Sequence, residues 1–139
     1  MYVSKIFVTV DNVIVRTVES KKEILLIKRK NDPFKDFWAL PGGFVDENED
    51  LAVAAKRELQ EETSLLVDDV QQVGAYGKPG RDPRSHVVSI AYFAEVANNL
   101  QAKAQDDAKE VDWFNITHLP DLAFDHATII QDALNKFLK

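Results

Sequence analysis

The chain has 139 residues, 45% hydrophobic and 29% charged, which suits one soluble domain with a proper core. Its net charge of −6, with no basic tail or lysine-arginine run, argues against duplex nucleic acid as a main partner. The absence of cysteine excludes disulfides, thiolate zinc sites and cysteine catalysis.

The N-terminal stretch MYVSKIFVTV carries a lysine inside a short apolar run and no small-residue cleavage site. It reads as neither a signal peptide nor a membrane span, so the expected location is the cytoplasm. Residues 2–10 and 12–18, rich in Val, Ile, Phe and Thr, predict two strands or one long strand broken at Asp11-Asn12. Residues 23–28 (EILLIK) predict a short buried strand, followed by a basic turn over 29–33. Phe34, Phe37 and Trp38 come next, read either as core aromatics capping a surface loop or as a wall for a planar base. In residues 39–45 (ALPGGFV), the Pro-Gly-Gly turn forces a reversal and lets the backbone approach a neighbour closely.

A helix is expected from about Glu49 to Glu62. At about 100° per residue, Leu51, Ala54, Ala55 and Leu59 share one apolar face, and Glu58 and Glu62 fall near its middle, with Glu61 at its edge. Carboxylates at this spacing repel one another and crowd the negative end of the helix dipole. A hard divalent cation such as Mg²⁺ or Mn²⁺ would offset that repulsion; the plainer reading is a solvated acidic helix end. Asp46 and Glu47 suit a helix N-terminus, whereas Glu49 belongs either to the site or to the cap.

Residues 67–78 predict a strand ending at Gly77, and residues 78–85 a loop with two arginines, Arg81 and Arg84. His86–Val96 predicts a central strand, 98–109 a polar loop carrying Asp106 and Asp107, and Glu110–Phe114 a short strand. Asp125 to Lys139 predicts a closing helix. The order implies a mixed sheet covered on both faces, an α+β arrangement in one domain spanning 1–139. Arg81 and Arg84 can offer planar, charge-assisted contacts to phosphate, unless Arg84 pairs with Asp82 and stiffens the loop. His126 reads as a capping or packing residue.

Gly43, Glu49, Arg57-Glu58-Leu59, Glu61-Glu62 and Leu65 together resemble the Nudix box, here spanning residues 43–65. That pattern is a glycine, five residues, a glutamate, seven residues, then Arg-Glu-aliphatic-x-Glu-Glu-x-Gly-aliphatic. One position departs: Ser64 stands where the box has glycine, which puts local stability in doubt more than activity. The resemblance implies an α/β/α sandwich around a mixed sheet and metal-dependent hydrolysis of a nucleoside diphosphate linked to another group. It implies Glu58 and Glu62 as main ligands of Mg²⁺ or Mn²⁺, Glu61 as a further or supporting carboxylate, the Gly42 carbonyl as an extra ligand, and Arg57 as the group orienting the glutamates. The general base is expected to be Glu58 or Glu61, with Glu110, Asp106 and Asp107 as downstream candidates.

Outside the box, GRDPRSHVVSIAYFA and LPDLAFDH are similar to segments of bacterial ADP-ribose pyrophosphatases. This resemblance implies hydrolysis of ADP-ribose to AMP and ribose 5-phosphate, with Arg81, Arg84, Trp38 and Phe44 as substrate contacts. Alternatives are another nucleotide (an oxidised dNTP, a dinucleoside polyphosphate or NADH) or a non-catalytic domain that senses ADP-ribose. No basic recognition helix follows the closing helix, and all three helix carboxylates are present, which favours the enzyme. A small-molecule nucleotide partner, no nucleic acid, no membrane and a homodimer complete the expectation.

Overall fold

The computed structural model describes residues 3–138. Tyr2, in the first predicted strand, and Lys139, at the predicted end of the last helix, lie outside the described residues. The elements run β1 (Ile6–Val18), β2 (Lys21–Arg29), β3 (Trp38–Ala39), β4 (Gly42–Phe44), α1 (Leu51–Thr63), β5 (Gln71–Tyr76), β6 (His86–Glu95), β7 (Ala108–Asn115) and α2 (His126–Phe137).

β1 is one unbroken strand of 13 residues; Asp11 and Asn12 do not interrupt it. Both are buried at its centre and hydrogen-bonded there, so the polar pair marks a site, not a turn. β1 pairs in parallel with β6 along Ile6–Val15 and antiparallel with β2 only along Val15–Val18. Further along, β2 takes β3 as its partner at Ile27 and Lys28, while β1 takes β4 at Thr9–Asp11. β7 covers the other side of β2, and β5 the other side of β6. Leu40 and Pro41 cross between the arms formed by β3 on β2 and β4 on β1. The two short strands β3 and β4 are absent from the sequence-based expectation, since two or three residues carry no periodicity.

Alternation along the strands divides the core between the two faces. Val13, Val15, Ile24 and Leu26 pack with Ile129, Ile130 and Ala133 of α2. Ile14 and Leu25, one residue out of phase, pack with Leu59 of α1 and with Leu65. This is the α/β/α sandwich expected from the box.

α1 starts two residues later than expected. Asp50 is its N-cap, accepting from the Ala52 and Val53 amides at 3.2 and 3.4 Å. The helix ends at Ser64, in the left-handed region with φ 68°, its amide donating to the Gln60 carbonyl. Glycine ordinarily occupies such a position, so the departure from the box falls where backbone strain is greatest.

Candidate active site

The Leu40–Phe44 backbone forms a platform with a donor or acceptor at each turn. The Leu40 amide donates to His126 Nδ1 (3.0 Å), and the Pro41 carbonyl accepts from the Asn12 amide (2.8 Å) and side chain (3.2 Å). The Gly42 amide donates to Glu62 Oε1 (2.8 Å). Close approach requires both glycines. A β-carbon on Gly42 would lie 2.1 Å from the Val10 carbonyl oxygen, and one on Gly43 2.4 Å from Glu58 Oε2.

Arg57 is the hub below the platform. Its Nε and Nη2 reach the two Glu49 oxygens at 2.7 and 2.9 Å, and its Nη1 reaches Glu58 (2.8 Å) and Glu61 (3.0 Å). Nη2 also donates to the Phe44 carbonyl at 3.1 Å, tying α1 to β4. One planar fork thus orients three carboxylates at once, which an ammonium could not do. Glu49 is not the cap: its carboxyl is Arg57's bidentate partner, pushed down to about 2 by that guanidinium and by the Asp46 amide.

The helix turns its last carboxylates inward to different depths. Glu62 is buried, and burial together with the charges of Glu58, Asp11 and Asp107 pushes its carboxyl up to about 8, against the pull of the Gly42 amide. Burial also raises Glu58, partly offset by Arg57. Glu61 is the most exposed of the three, at 42% of its side chain. The donors are all hard oxygens, and a carboxylate raised this far by burial and by neighbouring carboxylates fits a divalent cation. Among the described residues no three carboxylates or imidazoles stand close enough to enclose an ion as arranged, because Glu58 is turned onto Arg57.

Above this acidic floor the cleft is lined by Asp11, Arg29, Gly42, Gly43, Phe44, Glu62, Arg81, Asp82, Arg84, Asp107, Phe124 and His126. Arg81 is nearly buried and held by both Asp125 oxygens, at 2.9 and 2.6 Å. Arg84 pairs with buried Asp82 (2.7 Å), and its guanidinium lies near the Phe44 and Phe124 rings, 5.4 and 5.7 Å from their centroids. Asp82 stiffens this loop, and Arg84 still lines the cleft. Arg29 donates to the Pro33 carbonyl and lies over Phe124, without a carboxylate partner among the described residues. Burial and the nearby Arg84 lower its affinity for the proton. Phe124 itself sits at φ 52°, a left-handed backbone held by the packing around it.

Of the sequence candidates, Gly42, Phe44, Glu62, Arg81 and Arg84 line the cleft, and Arg57, Glu58 and Glu61 adjoin it. Two do not. Glu110 points out of β7 against Lys28 at 3.4 Å, because the strand's alternation places it away from the cleft. Trp38 packs edge-on against Phe114 at 4.7 Å and borders a separate groove with Lys28, Lys35 and Phe37, so the capping reading holds for it. Asp107, one of the downstream carboxylates, does reach the cleft. Asp11, Arg29 and Phe124 were not singled out. Asp11 carries a signal, a charged residue inside an apolar strand, which resembles a break; Arg29 falls within the basic turn over 29–33.

The pattern that defines the NUDIX domain matches residues 8–133. The chain is 50% identical over 115 residues to an ADP-ribose pyrophosphatase of Methanocaldococcus jannaschii, covering 83% of this chain and 68% of that protein. It is 36% identical over 129 residues to the ADPR-responsive transcriptional repressor NtrR of Acinetobacter baylyi, covering 90% of this chain and about half, 52%, of the repressor. The fold superposes with a TM-score of 0.88 on the NUDIX domain of Shewanella oneidensis NrtR complexed with ADP ribose, at 29% identity over 97% of this chain and 90% of that one.

Proposed function

The chain belongs to the Nudix family and is a Nudix hydrolase, and from that premise we propose that it cleaves ADP-ribose with water to AMP and ribose 5-phosphate, using Mg²⁺ or Mn²⁺. The observation that carries the reading is the opposition of charges across one cleft. Glu62 of α1 lines the same cleft as Arg29, Arg81 and Arg84, with Glu58 and Glu61 adjoining it and the glycine backbone in the lining. A pyrophosphate needs both: guanidiniums for its oxygens, and carboxylates for the cation that neutralises it. The identity to an archaeal protein of that activity supports the substrate.

Glu58, Glu62 and the Gly42 carbonyl would hold the cation, with Glu61 beside them. When bound, the cation neutralises the pyrophosphate and lowers the pKa of the attacking water. Arg57 sets the rotamers of Glu58 and Glu61 from one point. Arg29, Arg81 and Arg84 bind phosphate oxygens, and the pairing of Arg81 with Asp125 also holds the loop before β6 in place. The proton of the attacking water goes to Glu58 or Glu61, or to Asp107 from the segment bonded to the end of α1. Phe44 and Phe124 offer their ring faces to the adenine.

Residues 1–139 act as one domain in this reading, in the cytoplasm, without nucleic acid. A homodimer is supported by the exposed apolar strip of Ile6, Phe7 and Val8, where Phe7 meets Phe44 edge-on at 6.3 Å beside the cleft. No helix among the described residues is long and apolar enough to cross a membrane. The likeness to the ADPR-responsive repressor supports a second reading, a domain that binds ADP-ribose without cleaving it.

The test is hydrolysis across ADP-ribose, NADH, a diadenosine polyphosphate, a nucleotide sugar and 8-oxo-dGTP, with Mg²⁺, Mn²⁺ or EDTA. Metal-dependent turnover highest on ADP-ribose is expected. Preference for another nucleotide removes the substrate and keeps the chemistry. Tight ADP-ribose binding with no turnover moves the chain to the sensing role.

A further inference from the structure

Three residues from three elements meet beneath the platform and reach its first residue, Leu40. Ser89 of β6 donates to Asp11 Oδ2. Asp11 Oδ1, from the centre of β1, faces His126 Nε2 at 3.6 Å. His126, the first residue of α2, accepts the Leu40 amide on Nδ1 at 3.0 Å. Ser89, His126, Asp11 and Leu40 are all buried, at 0–7% exposure.

The direction of this relay is fixed by chemistry. An amide can only donate, so His126 Nδ1 carries no proton and the ring proton sits on Nε2, facing Asp11. Asp11 also bears on the platform directly, since a β-carbon on Gly42 would lie 2.6 Å from its Oδ1. Packing alone does not call for a buried carboxylate here. An apolar residue would fill the space without the desolvation cost.

We infer that Asp11 and His126 are positioning residues: the buried Ser89–Asp11–His126 relay fixes the Leu40 amide, and through it the placement of the Gly42 carbonyl and the Glu62 anchor. This rests on the reading of the cleft as a cation-dependent hydrolase site. Neither residue touches substrate in this role. Asp125, the neighbour of His126, holds Arg81, so one helix start ties the arginine wall and the glycine platform to a common point.

Two substitutions separate this role from packing. His126→Asn keeps an acceptor where Nδ1 stands; His126→Gln keeps a donor toward Asp11 and removes that acceptor. In the metal-free protein, Leu40 amide hydrogen exchange should stay slow in H126N. In H126Q it should quicken by about tenfold or more, the effect of one buried amide left without a partner. Mn²⁺ binding, followed by electron paramagnetic resonance, should weaken about tenfold in H126Q and little in H126N. The loss of kcat should follow, with KM unchanged. Should H126Q not fold, Ser89→Ala, which removes one donor to Asp11, is expected to shift exchange and Mn²⁺ affinity the same way by about threefold. Equal exchange at Leu40 in both histidine variants, or unchanged exchange and Mn²⁺ affinity in the variant that folds, overturns the inference. Exchange and Mn²⁺ binding are read without any nucleotide, so a wrong substrate leaves this test intact.

Discussion

The Gly42 amide and the Glu62 carboxylate are joined by a 2.8 Å hydrogen bond that closes the loop between β4 and the last turn of α1. The bond does not offset what burial and the surrounding carboxylates impose, and Glu62 titrates at about 8 instead of the ordinary 4.5. The sign for stability follows. Between 4.5 and about 8 the folded chain holds a proton that the unfolded chain has released. The stability this contributes is full below 4.5 and is lost as pH rises through about 8. Glu58 shifts in the same direction, whereas Asp11 and Glu49 are lowered and act only at acid pH. Urea unfolding in EDTA should therefore show stability falling from about pH 5 to about pH 9 by on the order of a few kcal/mol. Glu62→Gln should flatten that slope and be more stable than wild type at the alkaline end. Parallel slopes would show that Glu62 does not titrate in this range.

The same proton is the signature of the cation. At neutral pH most of the metal-free protein carries Glu62 protonated, so binding of Mg²⁺ or Mn²⁺ should release close to one proton per chain. Calorimetry in buffers of different ionisation enthalpy measures this directly. Glu62→Gln should release none, and both Glu58→Gln and Glu62→Gln should lose about 10² or more in kcat while remaining folded. Near-wild-type turnover in both variants would remove these residues from the metal site.

The box was legible because its chemistry contradicts its surroundings: carboxylates on an apolar helix face repel one another at a cost that a bound cation offsets. The inward turn of α1 could be found that way, and Glu62 is indeed buried at its end. Asp11 could not, because one strand does not reveal which side chains from β6 and α2 will meet it. Its neighbour Asn12 made the pair look like a turn, although both bond across the core. Arg29 and Phe124 stand far apart in the chain and become a pair only when β2 and the segment before α2 are brought together. Glu110 failed for a local reason. Its acidity was visible, but the phase of β7 was set by pairing with β2, where Lys28 stands opposite.

The two platform glycines should respond differently to the same change. On Gly42 an added methyl meets the Val10 carbonyl at 2.1 Å and the Asp11 backbone, which cannot move without breaking β1. Gly42→Ala should be destabilised by about 2–4 kcal/mol. On Gly43 the three atoms nearest the methyl all belong to the Glu58 carboxylate, the far end of a side chain. Gly43→Ala should keep its melting temperature within a few degrees and lose most of its metal affinity and turnover. Thermal unfolding beside Mn²⁺ titration separates the two. Comparable losses of stability in both would show that Glu58 is fixed as rigidly as the strand.

Arg29 serves binding alone, whereas Arg81 serves both binding and support. Among the described residues Arg29 has no carboxylate to release, so Arg29→Ala should raise KM for ADP-ribose by about tenfold or more with little change in stability. Removing Arg81 strands Asp125, which its guanidinium holds through two bonds, and should cost about 2 kcal/mol as well as raising KM. The double variant Arg81→Ala/Asp125→Ala should recover part of the stability and none of the KM. A recovered KM would give Arg81 no share in substrate binding.

Ser64 offers the converse case, a strain that can be relieved. It holds φ 68° at the end of α1, where its β-carbon crowds the following carbonyl; its hydroxyl reaches the Lys103 carbonyl only at 3.4 Å, too long to offset much. Glycine adopts that conformation freely but has more freedom to lose on folding, so the two effects partly cancel. Ser64→Gly should gain about 0.5–1 kcal/mol, or about 3 °C in melting temperature for a chain of this size. Since Ser64 follows Glu62 by two residues and makes no contact in the cleft, kcat and KM should not change. A lower melting temperature would mean that the Lys103 contact, weak as it is, holds the loop of residues 97–107 against the helix end. Asp107 would then move with it, and the rate should fall in step.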